Sequence, residues 1–365
     1  MKVDLSNIGP SQTNEAIELL CKSVEDSLIW NDHPTDRLLN AVERSTEKAV
    51  SDPIHILHVA MQQLFKPLLR KAKGDEDEKG HCRELDQRIR SAPAGSLSMT
   101  DYLDIIDCLM QRYMPVDFLA NRVKRQSVKQ YMAGYIRHDV KDLASITAGK
   151  ADTMVNMLPE TITEAKRIYQ ISSIDEARIR VAQASGSRLV STLAASTRSA
   201  MQKIIVDAEK SRINRQGPVY DVHSLQQSLS DNFATLNLDW RRIAVTETAI
   251  NAADGFLMAC AVGEVLRWAS HPGACQYCQS QNGLLFTVVS ASAPHKDPAT
   301  QVWPGKHLMN IGRSIAKMKR TENGMEPRTD DERLVPAIPA HPVCQCSWVK
   351  HVELTDDQKK RIGRA

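Results

Sequence analysis

Apolar residues recur every three or four positions through most of the first 267 residues, which is the spacing of an amphipathic helix. Asp52-Pro53 is predicted to begin a helix that continues through Leu69, because proline is favoured at the first helical position. Ser98–Asp101 resembles a capping box and predicts another helix start. Further helices are predicted over 11–26, 158–169, 187–213 and 239–267.

The residue pattern changes after Trp268, where glycine and proline become frequent. Short β-like stretches follow at 284–289 and 347–352. The chain is therefore predicted to be mainly α, with an extended multi-helix N-terminal and central region ahead of a small α+β zinc-knuckle domain. The predicted organisation is a helical N-terminal region, a helical central region, the small domain and a tail, over 1–115, 116–267, 268–352 and 353–365. A segment as short and loop-rich as 268–352 is too small to build a large apolar core, so we expect a crosslink or a bound metal to stabilise it.

The composition fits a soluble globular protein, with 42% hydrophobic and 25% charged residues. The net charge of +3 does not indicate a bulk nucleic-acid binder. No apolar run approaches the roughly 18 residues of a membrane helix, and the first residues do not resemble a signal peptide. We therefore expect a protein that is made in a cytoplasm and has no contact with a membrane.

Eight cysteines divide into two kinds. Four stand singly and are predicted to be buried free thiols: Cys21, Cys82, Cys108 and Cys260. The other four form two close pairs, Cys275 with Cys278 and Cys344 with Cys346. In a reducing compartment, paired cysteines bind metal more often than they form disulfides.

The two pairs, together with one histidine, have the spacing of a zinc knuckle. The candidate metal ligands are Cys275, Cys278, His341, Cys344 and Cys346. Three thiolates and one imidazole complete a closed tetrahedral site, so we predict one structural Zn²⁺ per chain. Five candidates compete for four places, which leaves open which of the last three complete the site. The alternatives are free thiols, or a disulfide that forms only outside the reducing compartment.

Two basic stretches are candidate contacts for DNA phosphates. The first contains Arg122, Lys124, Arg125, Lys129 and Arg137, without an acidic residue but with Tyr131 and Tyr135. The second contains Arg313, Lys317, Lys319 and Arg320. The simpler interpretation of the first stretch is a solvated helix face.

The C-terminal part of the chain resembles a known family, the phage head-morphogenesis proteins, which are minor head proteins similar to protein F of phage Mu. Three segments carry the resemblance: Arg241–Thr248 (RRIAVTET), the stretch from Trp268 through Cys275 and Cys278 to Asn282-Gly283 and Phe286, and Pro339–Cys346 (PAHPVCQC). Their order and approximate spacing match the family. Val343 and Gln345 depart from it, because asparagine and arginine are usual there.

The resemblance implies a low-copy structural protein of a tailed-phage virion that is associated with the portal protein and with the major capsid protein at the inner capsid. Several copies per particle and nearby DNA are expected on the same grounds. Within this family, Thr246 is expected to bond back to a helix carbonyl, and Glu247 to pair with Arg241 or Arg242.

Enzymatic interpretations are weaker, and no catalytic residue is predicted. A nuclease of the His-Asn-His kind, with His295 and Asn310 in the first two roles, lacks a third histidine that is not already claimed by the knuckle. A cysteine protease would pair His271 with Cys275, but a metal-bound thiolate is not a free nucleophile. No phosphate-binding GxxxxGK[ST] loop is present, which argues against a packaging motor.

Overall fold

The structure is a computed structural model that describes residues 36–65, 91, 98–140, 146–214 and 222–351. Helices dominate, and a small region of strands follows near the C-terminus, which confirms the predicted fold class. The helices are α1 (Arg37–Phe65), α2 (Met99–Tyr113), α3 (Val116–Arg137), α4 (Ala148–Met157), α5 (Ile162–Tyr169), α6 (Ser173–Asn214), α7 (Val222–Ala259) and α8 (Gln276–Gln281). The strands are β1 (Val265–Ala269), β2 (Leu285–Val288), β3 (Gln301–Val302), β4 (Met318–Thr321), β5 (Gly324–Pro327) and β6 (Ser347–Lys350). Short 3₁₀ turns lie at Lys306–Asn310 and Asp330–Glu332.

The chain divides into two compact units, and each is assembled from separate stretches of sequence. The first unit comprises 1–31, 45–126 and 183–242, and the second comprises 32–44, 127–182 and 243–365. Four helices, α1, α3, α6 and α7, contribute residues to both units. The boundaries predicted after residues 115 and 267 remain predictions, although strand β1 continues across the second of them.

The first unit is helical throughout the residues that the structure describes. Trp240 is fully buried, and its indole N–H donates to the backbone carbonyl of Glu47 at 2.9 Å. On the surface, the guanidinium of Arg198 binds both carboxylate oxygens of Asp107, at 2.7 and 2.6 Å. Bidentate pairs of this kind fix helix orientation more than they stabilise, because exposed ion pairs contribute about 0–1 kcal/mol.

In the second unit, one group of buried side chains comes from α1 and α3 through α6, and we call it the helix cluster. Its largest members are Leu38, Tyr131, Met132 and Ile179. Next to it, α3 and α7 cross at two glycines. A Cβ on Gly134 would lie 1.9 Å from the carbonyl oxygen of Ala252, and one on Gly255 would lie 2.1 Å from that of Tyr131. Only glycine permits backbones to approach this closely.

A second group of buried side chains, the sheet cluster, is built on the four-stranded sheet with strand order β3-β2-β1-β6. Strand β1 pairs antiparallel with β2 and β6, which places Leu266 opposite Phe286 and Trp268 opposite Trp348. The rings of Trp268 and Trp348 meet edge to face with their centroids 5.5 Å apart. The C-terminal piece therefore has an apolar core of its own, which the end of α7 completes with Ala253, Phe256 and Leu257.

Several local predictions are confirmed. Ser98 caps α2 with a capping box, and β2 and β6 lie where β-like sequence was found. Pro53 does not begin a helix but lies inside α1. The helix predicted to continue to residue 267 ends at Ala259, because the chain then turns to enter β1. Cys108 is disulfide-bonded rather than free.

Some predictions lie outside the described residues, namely the helix over 11–26, the thiols of Cys21 and Cys82, and the tail. Cys260 is a free thiol, as expected, but it is only partly buried. Among the helices that the structure describes, none is long and apolar enough to cross a bilayer.

Candidate metal centre

The first cysteine pair lies on the first turn of the short helix α8. Cys275 is its N-cap residue and Cys278 lies one turn further on, so both thiols face the same side. The turn is held from outside by Ser270, whose hydroxyl donates to the carbonyl of Cys278 at 2.5 Å. The amide N–H of Ser270 in turn donates to the side-chain oxygen of Asn282 at 3.0 Å.

The second group of ligand candidates lies on the loop that leads into β6. The backbone N–H of Cys344 donates to the carbonyl of His341 at 3.2 Å and closes a tight turn. Within that turn Val343 has φ 61°, a left-handed conformation that β-branched residues rarely adopt. Its N–H donates to the hydroxyl oxygen of Thr246 on α7 at 3.0 Å, which fixes the loop to the helix.

The five predicted ligands come together as two overlapping triads that share Cys278. One triad is Cys275, Cys278 and His341, and the other is Cys278, Cys344 and Cys346. Within each triad all ligand atoms lie within 4.8 Å of one another. His341 Nε2 lies 3.3 Å from Cys275 Sγ and 3.4 Å from Cys278 Sγ, and the sulfurs of Cys278 and Cys344 are 3.8 Å apart.

These distances can be compared with those of a tetrahedral metal site. With metal–sulfur bonds of about 2.3 Å and a metal–nitrogen bond of about 2.0–2.1 Å, two sulfurs lie about 3.8 Å apart and a sulfur and a nitrogen about 3.5 Å apart. Within the two triads, the observed separations of 3.3, 3.4 and 3.8 Å lie close to these values. The residues therefore fit a metal ion, and the cluster could hold one.

The protonation of the buried thiols is consistent with this. Hydrogen bonding with Cys344 and Cys346, with burial added, raises the pKa of Cys278 far above its ordinary value. Hydrogen bonds from Cys278 and Cys344 lower the pKa of Cys346, and the backbone N–H of His271 assists. A divalent cation bound by these sulfurs would replace their protons.

The residues considered for catalysis occupy other roles. His295 lies exposed on a loop. Both polar atoms of the Asn310 side chain bind the backbone, donating to the carbonyls of Val335 and Ala340 and accepting from the N–H of Val335. His271 Nδ1 accepts from the N–H of Gly273, whereas Cys275 lies against His341.

The basic stretch on α3 does not form one exposed surface. Lys129 is buried and pairs with Glu160 at 2.8 Å, and Arg137 is buried and pairs with Asp36. Arg137 also donates to the carbonyl of Trp348 at 2.7 Å and lies over the ring of Phe256. In the second stretch, Lys319 pairs with Glu332 at 2.7 Å.

Comparison of the chain with family models, with curated proteins and with solved structures gave no match.

Sequence reasoning missed the residues that hold the ligands in place. Thr246 was expected to bond within its own helix, and its contact with Val343 joins segments about a hundred residues apart. Asn310 was considered only for catalysis, yet it fixes the backbone just before His341. Neither role has a signal in local spacing, since both depend on which distant backbone group lies within reach.

Proposed function

We propose that this protein is a minor structural component of a tailed-phage head, associated with the portal and the inner capsid, and that a structural Zn²⁺ holds its C-terminal region together. One observation carries the proposal. The three segments that resemble the head-morphogenesis family meet at the cysteine cluster in a single structural arrangement.

Each segment has a distinct part in that arrangement. The RRIAVTET segment supplies Thr246, which binds the loop of the PAHPVCQC segment through Val343. The middle segment supplies the first cysteine pair and the Asn282-Gly283 turn into β2, where Gly283 has φ 86°. A chance likeness of composition would not need to bring its parts into contact. The resemblance therefore extends to residues that act together.

Zinc is the metal that best suits the donors. A mixture of thiolate and imidazole ligands at tetrahedral spacing is typical of Zn²⁺, whereas oxygen-rich sites favour Mg²⁺ and Ca²⁺. The ion is proposed to be structural, because four protein donors leave no position for a reacting water. Cys278 and Cys344 are buried members of the sheet cluster, so an ion bound to their sulfurs would lie within it.

Cys344 is the proposed fourth ligand beside Cys275, Cys278 and His341. Its sulfur lies at a tetrahedral spacing from that of Cys278, and its own backbone N–H closes the turn that begins at His341. Cys346 then lies beside the ion and accepts hydrogen bonds from its neighbours.

The particles made by the phage or prophage that carries this gene test the proposed role. Quantitative mass spectrometry of purified particles is expected to find this chain at a fixed low copy number, below that of the capsid protein. Deleting the gene is expected to abolish DNA-filled heads, and complementation to restore them. Absence from the particles together with normal heads from the deletion would overturn the proposal. Metal-dependent plasmid cleavage that His295→Ala abolishes would point to a nuclease instead.

A further inference from the structure

A second cluster of metal-binding side chains lies in the same unit but shares no residue with the knuckle. It consists of His138, in the turn after α3, Cys260, directly after α7, and Glu264, in the turn before β1. One ligand atom from each lies within 4.8 Å of the other two. None of the three was singled out as a ligand from the sequence.

The histidine ring is held in the orientation of a metal ligand. Its Nδ1 lies 2.9 Å from the carboxylate of Asp139, and its Nε2 lies 3.1 Å from Oε2 of Glu264. The edge of the ring packs on Phe256, with centroids 5.8 Å apart. A metal-binding histidine usually donates its other ring N–H to a carboxylate, which fixes both tautomer and ring orientation.

His138 lies between the carboxylates of Asp139 and Glu264. A neutral imidazole carries one N–H, so it can donate a proton to only one of the two. If that proton faces Asp139, the lone pair of Nε2 faces a carboxylate oxygen that already accepts from the N–H of Ala261. Two acceptors at 3.1 Å repel each other unless a second proton or a metal cation lies between them.

The third donor favours the metal over the proton. An imidazolium would need only the two carboxylates, whereas the sulfur of Cys260, within 4.8 Å of the ligand atoms of both other groups, adds a donor that a cation can use. Without metal, the Cys260 thiol donates to the carbonyl of Phe256 at 3.2 Å. Burial, and then the charge of Glu264, raise the pKa of Cys260 to about 12, so metal binding must release its proton.

We propose that His138, Cys260 and Glu264 form a second divalent-cation site, suited to Zn²⁺ and open at a fourth position to water. Imidazole, thiolate and carboxylate are all zinc donors, and in a tetrahedral site nitrogen and oxygen lie about 3.3 Å apart. The His138 and Glu264 side chains are 13% and 21% exposed, which gives water access. Lys350, 3.6 Å from the other oxygen of Glu264, weakens the attraction for a cation.

The site differs from the knuckle in exchangeability. Three protein donors hold zinc less tightly than four. Bound zinc would connect the end of α3 and the end of α7 to Glu264 in the turn before β1. We therefore expect this zinc to exchange readily with the solution while the knuckle zinc stays.

Zinc stoichiometry of the full-length chain tests the site. At saturating Zn²⁺ the wild type is expected to bind two equivalents, of which one is released within seconds to a chromogenic chelator. His138→Gln and Cys260→Ala should each lose that fast equivalent, whereas His295→Gln, at an exposed histidine outside the cluster, should keep it. Cys275→Ser should lose the slow equivalent and retain the fast one, which separates this site from the knuckle.

The stoichiometry of the wild type can also overturn the proposal. A single equivalent that is released slowly, and that Cys275→Ser removes, would show that a proton rather than a metal lies between His138 and Glu264; a single fast equivalent would instead contradict the knuckle. Two equivalents in both His138→Gln and Cys260→Ala, with folded circular-dichroism spectra, would place the fast equivalent elsewhere. With Co²⁺ as the probe, Cys260→Ala is expected to reduce the thiolate-to-cobalt absorption by about one ligand's share in four.

Discussion

The helix cluster and the sheet cluster stabilise the same unit by different means. The helix cluster consists of aliphatic and aromatic side chains, and beside it α3 and α7 approach closely at Gly134 and Gly255. The sheet cluster has two buried tryptophans but ends on three buried cysteines, Cys278, Cys344 and Cys346. The packing of the helix cluster needs no ligand. The stability of the sheet cluster depends on what its three neighbouring sulfurs bind. We therefore expect loss of a metal ligand to destabilise the sheet cluster and overpacking to destabilise the region of the helix cluster.

The largest effect is expected from removing the shared ligand of the knuckle. In Cys278→Ser the zinc should be lost and the sheet cluster should open, because structural zinc contributes about 10–16 kcal/mol of binding free energy in small zinc domains. Limited proteolysis is expected to cut within 268–351 while the helix cluster stays protected. Ser280→Ala, at an exposed position on the same short helix, serves as the control and should change neither zinc content nor cleavage.

The same assay distinguishes the two candidates for the fourth ligand. Cys344→Ser is expected to lose the knuckle zinc, whereas Cys346→Ser should retain it with a reduced affinity. The reverse result would exchange their roles but leave the knuckle in place.

The close crossing of α3 and α7 beside the helix cluster is expected to be destabilised by overpacking. Gly134→Ala places a methyl group 1.9 Å from the carbonyl oxygen of Ala252, and we expect a loss of about 1–3 kcal/mol or more in the free energy of unfolding. Gly149→Ala on α4 is the matched control, since its Cβ meets nothing within 4 Å. That change should stabilise by about 0.4–1 kcal/mol. Urea denaturation of both variants measures the difference, and equal effects would contradict the close crossing.

A buried lysine gives the sheet cluster a pH dependence. Lys306 is 1% exposed and donates to the carbonyls of Pro298 and Gln301, and burial lowers its pKa to about 7. A lysine of the unfolded chain keeps its proton to a pH of about 10.4. The unfolded state therefore binds more protons between these values, and the free energy of unfolding should rise with pH.

The slope is expected to be at most about 1.4 kcal/mol per pH unit. Lys306→Met should lack it, so the difference between wild type and variant, measured by denaturation from pH 7 to 10, isolates this group from the cysteines. Parallel pH profiles would show that Lys306 stays charged.

The smallest effect is expected at the loop that holds the second set of ligands. Val343→Asn should stabilise by about 1 kcal/mol, because asparagine tolerates a positive φ better than a β-branched residue does. Gln170, which ends α5 with φ 53°, offers a comparison outside the knuckle. Gln170→Gly should give a similar gain in melting temperature. A gain at Gln170 but not at Val343 would show that the knuckle loop adjusts its backbone.

Spacing alone identified much of this protein. The helical period predicted the mainly α fold, and the change of residue pattern after Trp268 predicted the small sheet. The cysteine pairs at 275–278 and 344–346, together with His341, predicted the five side chains that come together. These features depend on neighbours within a few residues, where periodicity and turn chemistry act directly. The sequence left the fourth ligand open, because five donors satisfied the same spacing.

Only the tertiary structure decided which distant groups meet. It placed Thr246 against Val343, Asn310 against the backbone before His341, and His138 beside Cys260 and Glu264. It also buried Lys129 and Arg137 in ion pairs, although their local sequence is that of a solvated basic face. The physical reason is the same in each case. A side chain's partner is fixed by helix crossing and sheet register, which join residues from 30 to 126 positions apart and leave no mark on local spacing.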